Sequence, residues 1–368
     1  LAHLADDASA DLTPGALALA NQIGDAEHLV FVLADGLGLN LLEGLPEANF
    51  LTEHRVGELR TVFPSTTATV LTTLATGAWP NQHGVTGQWT HLSEIRGAAA
   101  VLPFAARSGG HALGSLGVGV EQVFPLPPLL GRLRRDTLAL FPSRLVNSVT
   151  STYFSGGRPR YGYESLTEAV QTIVDRVRAA RAPTYTYLYS PRIDTETHWL
   201  GVRHDGVRSA VHELNRCLVA LAEGVAGRAR VVVAADHGLL DAPVTARHWI
   251  KPTEQLISAV REPLSGDDRV LYFHVRDGAE DRLRAWLKAH YGDRFFLLSV
   301  AEAEDLQLFG PGPAAPAVRE RFGDLLLLST GVDVIEYVPT ARIGRRVDLN
   351  AFHSGLSPAE MRVPLVVF

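Results

Sequence analysis

A single cysteine, Cys217, stands in 368 residues, so no disulfide can form within the chain. Lysine is almost missing as well. Lys251 and Lys288 are the two present, and arginine supplies the rest of the positive charge, a usage bias rather than a function. No run reaches the roughly 18 apolar residues of a bilayer-crossing helix, so no membrane span is expected. The visible start at Leu1 has no basic region leading into an apolar stretch, so no signal peptide is expected and the expected compartment is the cytoplasm. A net charge of −6 argues against broad attraction for a nucleic-acid duplex or strand, although metal ions bound at one site would escape that count. Internal repeats and low-complexity tracts are absent too.

What remains is ordinary for a soluble globular protein: 46% hydrophobic and 20% charged residues, in a length suited to one large domain or two. Thr13 and Pro14 open a short helix through about Asn21. His28 to Ala34 (HLVFVLA) is a continuous apolar run ending in Asp35-Gly36, which is how a fully buried parallel strand reads. Further strands are predicted at Arg60–Phe63, within His111–Val120, at Tyr185–Tyr189 and at Arg230–Ala235. Glu164 to Arg181 and Val207 to Val225 carry apolar stripes at helical spacing, and Cys217 lies beside the second stripe, where packing is its expected role. This alternation predicts an α/β fold, a doubly wound and mostly parallel central sheet with helices on both faces.

Pro125 to Arg160, rich in Pro, Arg and Ser, reads as a long loop, the centre of a lid-like segment 121–163. From about Ile250 the texture changes. Strands at Val270–Val275, Phe295–Leu298 and Asp324–Leu328 and a helix at Ala279–His290 suggest a small inserted α+β cap over 250–343. The catalytic core would then be 1–249 and 344–368, with the final strand at Val363–Phe368.

The segment from Thr61 to Gln88 (TVFPSTTATVLTTLATGAWPNQHGVTGQ) runs from a strand end through Pro64 into a Thr-rich helix that Gly77 can stop. Hydroxyls at such a junction sit where free backbone N–H groups and the positive helix end favour an anion. A threonine there suits a nucleophile for phosphorus; the alternative is that Ser65 and Thr66 merely cap a core helix. Elsewhere, acidic and imidazole side chains follow the predicted strands: Asp35 after the first, Asp194 and His198 after Tyr185–Tyr189, Asp236 and His237 after Arg230–Ala235. His353 precedes the last strand. In open α/β sheets ligands bind beyond the carboxyl ends of strands. At i and i+4 of a helical turn, Asp194 and His198 share one face, a pairing suited to zinc. Each residue alone has a plain structural reading as a cap or turn; independent caps give no reason for them to gather at successive strand ends.

VFVLADGLG, FPSTTATVLTTLATG, IDTETH, ADHG and FHSG, in that order, resemble the alkaline phosphatase superfamily and its nucleotide pyrophosphatase/phosphodiesterase (type I phosphodiesterase) branch. The likeness covers Val30 to His248 and the return from His353, and leaves the lid and the cap without a match. It implies two zinc ions, with Mn2+ or another divalent ion as a substitute. Asp35, Thr67, Asp236 and His237 would hold one, and Asp194, His198 and His353 the other. Thr67 matches the nucleophile. Gln88 stands where the branch places an asparagine that contacts a phosphoryl oxygen, so it keeps the amide on a longer arm. The branch's aromatic-proline-asparagine run after the nucleophile is replaced by Ala68, Thr69 and Val70.

The implied activity is zinc-dependent hydrolysis of a phosphodiester or pyrophosphate bond through a phosphothreonine on Thr67, in a small-molecule phosphoester such as a nucleotide. Ala68 stands where phosphatases for dianionic monoesters place an arginine, which favours a singly charged diester. Arg192 and Arg247 flank the motifs and are candidate contacts for a second phosphate or plain surface charges. His83, His204 and His248 read as structural or supporting residues. The rival readings are phosphonoacetate hydrolase-like or phosphomonoesterase chemistry at the same metal pair, and a metal-binding protein without turnover. A sulfatase is excluded because Cys217 lies within a helix, a phosphomutase is disfavoured by Thr67, and a nucleic-acid-binding module lacks its basic stripe.

Overall fold

The computed structural model describes residues 5, 13–45, 48–251, 254–338 and 349–368. The expected cap border between 343 and 344, and most of the N-terminal dozen residues of the expected core, lie outside them. The central sheet has seven strands. In spatial order they are Arg55–Arg60, Arg362–Val367, Ala229–Ala234, His28–Ala34, Thr184–Ser190, Asp136–Pro142 and Arg160–Tyr163. The last five are mutually parallel, while Arg362–Val367 runs antiparallel to its neighbours. The sheet is therefore mostly parallel, as the strand–helix alternation predicts.

His28–Ala34 is buried along its whole length because both of its faces are covered. Leu29, Phe31 and Leu33 pack on one face with Ile23 of the helix Pro14–Ile23 and with Ala68, Leu71 and Ala75 of the helix Thr67–Thr76. Val30, Val32 and Ala34 pack on the other with Ile173 and Val177 of Leu166–Ala179 and with Leu214 and Leu218 of Asp205–Val225. Side chains alternate across a strand, so an unbroken apolar run is what a strand between two helical layers requires. Cys217 is buried in the second of these layers.

Three expectations are corrected. Pro125–Arg160 is not a loop or lid, because it supplies the strand Asp136–Pro142 and, from Arg160 on, the edge strand of the central sheet. Its apolar stretch Leu138–Leu140 pairs in parallel with Thr186–Leu188, and its Pro142 stands at the strand end, where a missing N–H is tolerated. His111–Val120 holds no strand; glycines at 114, 117 and 119 interrupt it, and it forms the 3-10 turn Leu113–Leu116 and the start of a short helix, Val120–Val123. The strand expected at Arg60–Phe63 ends at Arg60.

The expected cap is not self-contained. A second seven-stranded sheet joins Phe295–Ser299, Leu325–Ser329, Val270–Phe273 and Ser265–Asp267 to Trp89–Leu92, Gly97–Ala100 and Ala105–Ala106. All its pairings are antiparallel, and Gly266 sits opposite Trp89 at the junction. At Gly87, whose φ is +150°, a Cβ would lie 2.6 Å from the Gly266 carbonyl oxygen, so only glycine lets the two backbones meet here. That approach carries Gln88 and Asp267 to the same place.

The Thr67 helix is braced from beneath by His83. Its Nδ1 accepts from the Val85 N–H at 3.1 Å, which leaves Nε2 to donate to the Thr73 hydroxyl at 3.0 Å. Burial, helped by the Arg321 charge, pushes the imidazole down to about 3. An unfolded histidine titrates near 6.5, so the unfolded chain takes up protons first as the pH falls. The stability His83 contributes is thus complete above about 6.5 and is lost as the pH drops toward 3, about 2 kcal/mol of it by pH 5. Denaturant midpoints of metal-free wild type and His83→Gln at pH 7 and 5 measure this, because their difference removes the opposite contribution of the buried carboxylates. The variant, which keeps a donor and an acceptor, should lose less stability than wild type between pH 7 and 5; an equal change in both would clear His83 as the source.

Candidate active site

Parallel register fixes where the acidic side chains fall. Ala34 stands opposite Ser190 and Leu33 opposite Ala234, so the three strands end side by side and the residues that follow them emerge at one rim. The Asp35 N–H donates to the Ser190 carbonyl at 2.9 Å, and the Asp194 N–H donates to the Asp35 carbonyl at 3.0 Å. At Gly36, φ +76°, a Cβ would stand 2.7 Å from the Asp194 Cα; glycine is what allows the loop after His28–Ala34 to touch the segment after Thr184–Ser190.

Asp236 Oδ1 accepts from the N–H groups of Gly36 and His237, both at 3.0 Å, which aims its other oxygen into the site. The Tyr189 hydroxyl donates to Asp35 Oδ2 at 2.5 Å, which aims Oδ1 the same way. Asp35 Oδ1 and Asp236 Oδ2 are buried with no hydrogen-bond partner among the described residues. Burial, then the charges of Asp236 and Asp194, holds the Asp35 carboxyl well above the usual carboxylate range. Buried like charges with unsatisfied oxygens are costly unless a cation sits between them.

Imidazoles complete the set. His237, fully buried, turns Nδ1 to the Gly238 carbonyl, so its Nε2 faces Asp236 Oδ2 at 3.4 Å, Asp35 Oδ1 at 3.7 Å and the Thr67 Oγ1 at 3.1 Å. His198 donates from Nδ1 to the Ala351 carbonyl at 2.7 Å, leaving Nε2 3.3 Å from Asp194. His353 is held through Nδ1 by the Ser65 carbonyl at 3.1 Å, and its Nε2 lies 4.0 Å from Asp194. Ligand atoms of Asp35, Asp236 and His237 lie within 4.8 Å of one another, and so do those of Asp194, His237 and His353. Mixed carboxylate and imidazole donors with ring N–H groups already bound to carbonyls are the donor set of a divalent metal centre. Because neighbouring oxygens stay unsatisfied without a cation, the residues fit that group.

Thr67 is the first residue of its helix. Thr66, at the N-cap position, makes no capping bond with its side chain; its hydroxyl donates instead to Asp267 Oδ2 at 2.8 Å, and the Ser65 hydroxyl to the Gly355 carbonyl at 2.7 Å. Simple capping is thereby ruled out, and the first-turn N–H groups are left for an anion. The helix tolerates so many threonines because Thr72 and Thr76 donate to the carbonyls four residues back, each at 2.7 Å. Asp267 Oδ2 also accepts the Gln88 N–H at 3.1 Å, so one carboxylate from the second sheet ties Gln88 to the residue before Thr67. From the turn between Ser265–Asp267 and Val270–Phe273, Arg269 forms a buried ion pair with Glu360 at 2.6 Å, and Glu360 accepts the Gly355 N–H beside His353. Between them Ser354 is held at φ +99°, a strained conformation for a residue with a side chain.

Thr67, Gln88, Asp35, Asp194, His198 and His353 line one cavity of about 320 Å³. Its rim adds Leu102, Arg144, Leu145, Trp199 and Leu349. The two expected arginine contacts lie elsewhere. Arg192 pairs with Glu213 and with Glu196, and Arg247 donates to the Ala242 carbonyl in a separate crevice with His248 and Phe352. His83, His204 and His248 do not line the cavity; His204 caps a helix and His248 faces Asp333 at 2.7 Å. Tyr189, Asp267 and Arg144 are missed by the sequence reading. Tyr189 could have been found from its place just before a strand end; Asp267 and Arg144 carry no local signal.

Fold and site together define a metal-dependent phosphoester hydrolase of the alkaline phosphatase superfamily. Residues 29–94 and 136–328 match the family model of type I phosphodiesterase / nucleotide pyrophosphatase, and the chain belongs to that family. No curated protein matches it. In structure it is similar to murine ectonucleotide pyrophosphatase / phosphodiesterase 5, at 14% identity and a TM-score of 0.67 over 92% of this chain and 87% of that one. An inactive variant of that murine protein in complex with AMP compares at 15% identity and 0.66, with the same coverage, 92% and 87%. Phosphonoacetate hydrolase from Sinorhizobium meliloti 1021, in complex with phosphonoformate, is also similar, at 18% identity and 0.63 over 92% of this chain and 89% of that one. At such identities the likeness speaks for the fold.

Proposed function

We propose that the chain hydrolyses a phosphodiester or pyrophosphate bond of a small molecule, a nucleotide being the favoured class, through a phosphothreonine on Thr67. Two zinc ions would serve it, one held by Asp35, Thr67, Asp236 and His237 and one by Asp194, His198 and His353. When bound, they supply the positive charge that favours a Thr67 alkoxide and offsets charge on the phosphoryl and departing oxygens. The observation that carries the reading is the Thr67 hydroxyl at an open helix N-terminus, 3.1 Å from His237 Nε2 and inside the cavity that holds the carboxylates.

Thr67 Oγ1 forms a bond to phosphorus while the bond to the leaving oxygen breaks on the opposite side. The N–H groups of the first helical turn and the Gln88 amide hold the remaining phosphoryl oxygens. Water then cleaves the phosphothreonine and restores the hydroxyl. Ala68, where an arginine would clamp a dianion, supports a diester; the AMP complex of the murine neighbour supports a nucleotide.

With zinc supplied, a nitrophenyl phosphodiester is expected to be turned over at least about tenfold better in kcat/KM than the corresponding monoester or phosphonoacetate. Preference for phosphonoacetate would install the C–P cleavage reading, preference for the monoester the phosphatase one. Stoichiometric zinc with no turnover of any of them would leave a metal-binding protein.

A further inference from the structure

We infer that Arg144 recognises a second anionic group on the substrate, so that this site prefers phosphodiesters bearing a phosphate or carboxylate close to the scissile phosphorus. The inference rests on the phosphodiesterase reading and names its substrate class. Among the described residues lining the cavity, Arg144 is the one arginine or lysine. It makes no hydrogen bond or ion pair with any described residue, whereas Arg192 and Arg247 are both engaged away from the cavity.

Its position is built, not incidental. Arg144 lies in the turn directly after the strand Asp136–Pro142, at the same carboxyl rim as Asp35, Asp194 and Asp236. That turn is pinned: the Ser143 N–H donates to the Tyr163 carbonyl at 2.9 Å, and the N–H groups of Leu145 and Val146 reach the Pro142 carbonyl at 2.7 and 3.1 Å. A fixed turn delivers the guanidinium to the cavity at little cost in backbone order. The scissile phosphoryl group is already served by Gln88, the helix N-terminus and the metal ligands. A further cation on the wall therefore matches charge elsewhere on the substrate, and its planar fork suits a phosphate or carboxylate. Arg144 is solvent-exposed, and Leu102 and Leu145 line the same cavity, where they can meet the apolar part of a substrate.

The test uses the full chain with zinc and two substrate types. Bis(4-nitrophenyl) phosphate has uncharged arms; a nucleoside triphosphate releases pyrophosphate, and a 4-nitrophenyl diester whose other arm ends in a carboxylate separates the two sources of charge. Arg144→Ala is expected to lower kcat/KM about 10- to 100-fold on whichever charged substrate is recognised, and less than about threefold on the uncharged diester. Arg144→Lys should recover part of the loss. Equal losses on all substrates, or none, would overturn the inference. Should the wild type cleave no diester at all, the phosphodiesterase reading fails separately, and pyrophosphate binding by calorimetry still decides: weaker binding to Arg144→Ala upholds the role, equal binding removes it.

Discussion

Thr67→Ala is expected to cut turnover by at least about a thousandfold while metal binding and the unfolding midpoint stay close to wild type. The geometry explains the separation. Thr67 reaches His237 through a single hydroxyl, whereas Asp35, Asp194, His198, Asp236, His237 and His353 are each anchored by other elements. Removing the hydroxyl leaves the helix its Asp267 contact through Thr66 and its packing through Ala68 and Leu71. Thr67→Ser serves as the control. It keeps the oxygen, so it should retain measurable activity and accumulate a phosphoserine on rapid quenching. Wild-type activity in the alanine variant, after exclusion of contaminating phosphatase, would remove Thr67 from the reaction.

Metal removal has the second large effect. Without a cation, Asp35, Asp194 and Asp236 face one another, and burial first, then the charges of Asp236 and Asp194, raises the Asp35 pKa. The sign follows directly. A carboxyl whose folded value lies above its unfolded value favours the fold when protonated, so the Asp35 contribution in chelated protein is greatest at acid pH and shrinks as the pH rises, opposite in sign to that of His83. At neutral pH, metal at a thousand times its dissociation constant adds about 4 kcal/mol, which chelation takes away. Asp35→Asn keeps an acceptor for the Tyr189 hydroxyl while deleting one charge. It should therefore be more stable than wild type when both are chelated, yet at least about a hundredfold less active when both are loaded. Thermal midpoints with and without chelator test this, and a variant less stable than wild type in both states would mean that the carboxylates do not repel.

Much of this site is legible in the sequence because its residues sit directly after buried strands, and unbroken runs such as His28–Ala34 are hard to misread. The edge of the sheet is less legible. Asp136–Pro142 carries its signal in a short apolar stretch among prolines and arginines, and Arg160–Tyr163 is only four residues long and part-exposed. Arg192 illustrates a different failure, since nearness in sequence is not nearness in space. On the helix Arg192–Leu200 it lies two residues from Asp194, about 200° around the axis, and faces Glu196 and Glu213 instead. Helical phase alone would have turned it away. Asp267 belongs to another class, because it reaches Thr66, at the start of the Thr67 helix, across a pairing between distant segments, Gly266 with Trp89, that no local pattern announces.

That pairing bears on how this chain can change. Since Asp267 grips Thr66 and Gln88, and Arg269 steadies the loop carrying His353, the outer sheet is no interchangeable accessory. Transplanting residues 265–329 from a relative would unseat the start of the Thr67 helix together with whatever recognition it was meant to alter. New preferences are reached more cheaply by single substitutions at Leu102, Arg144, Leu145 or Trp199, around the mouth, where a side chain can vary without disturbing the hydroxyl beneath.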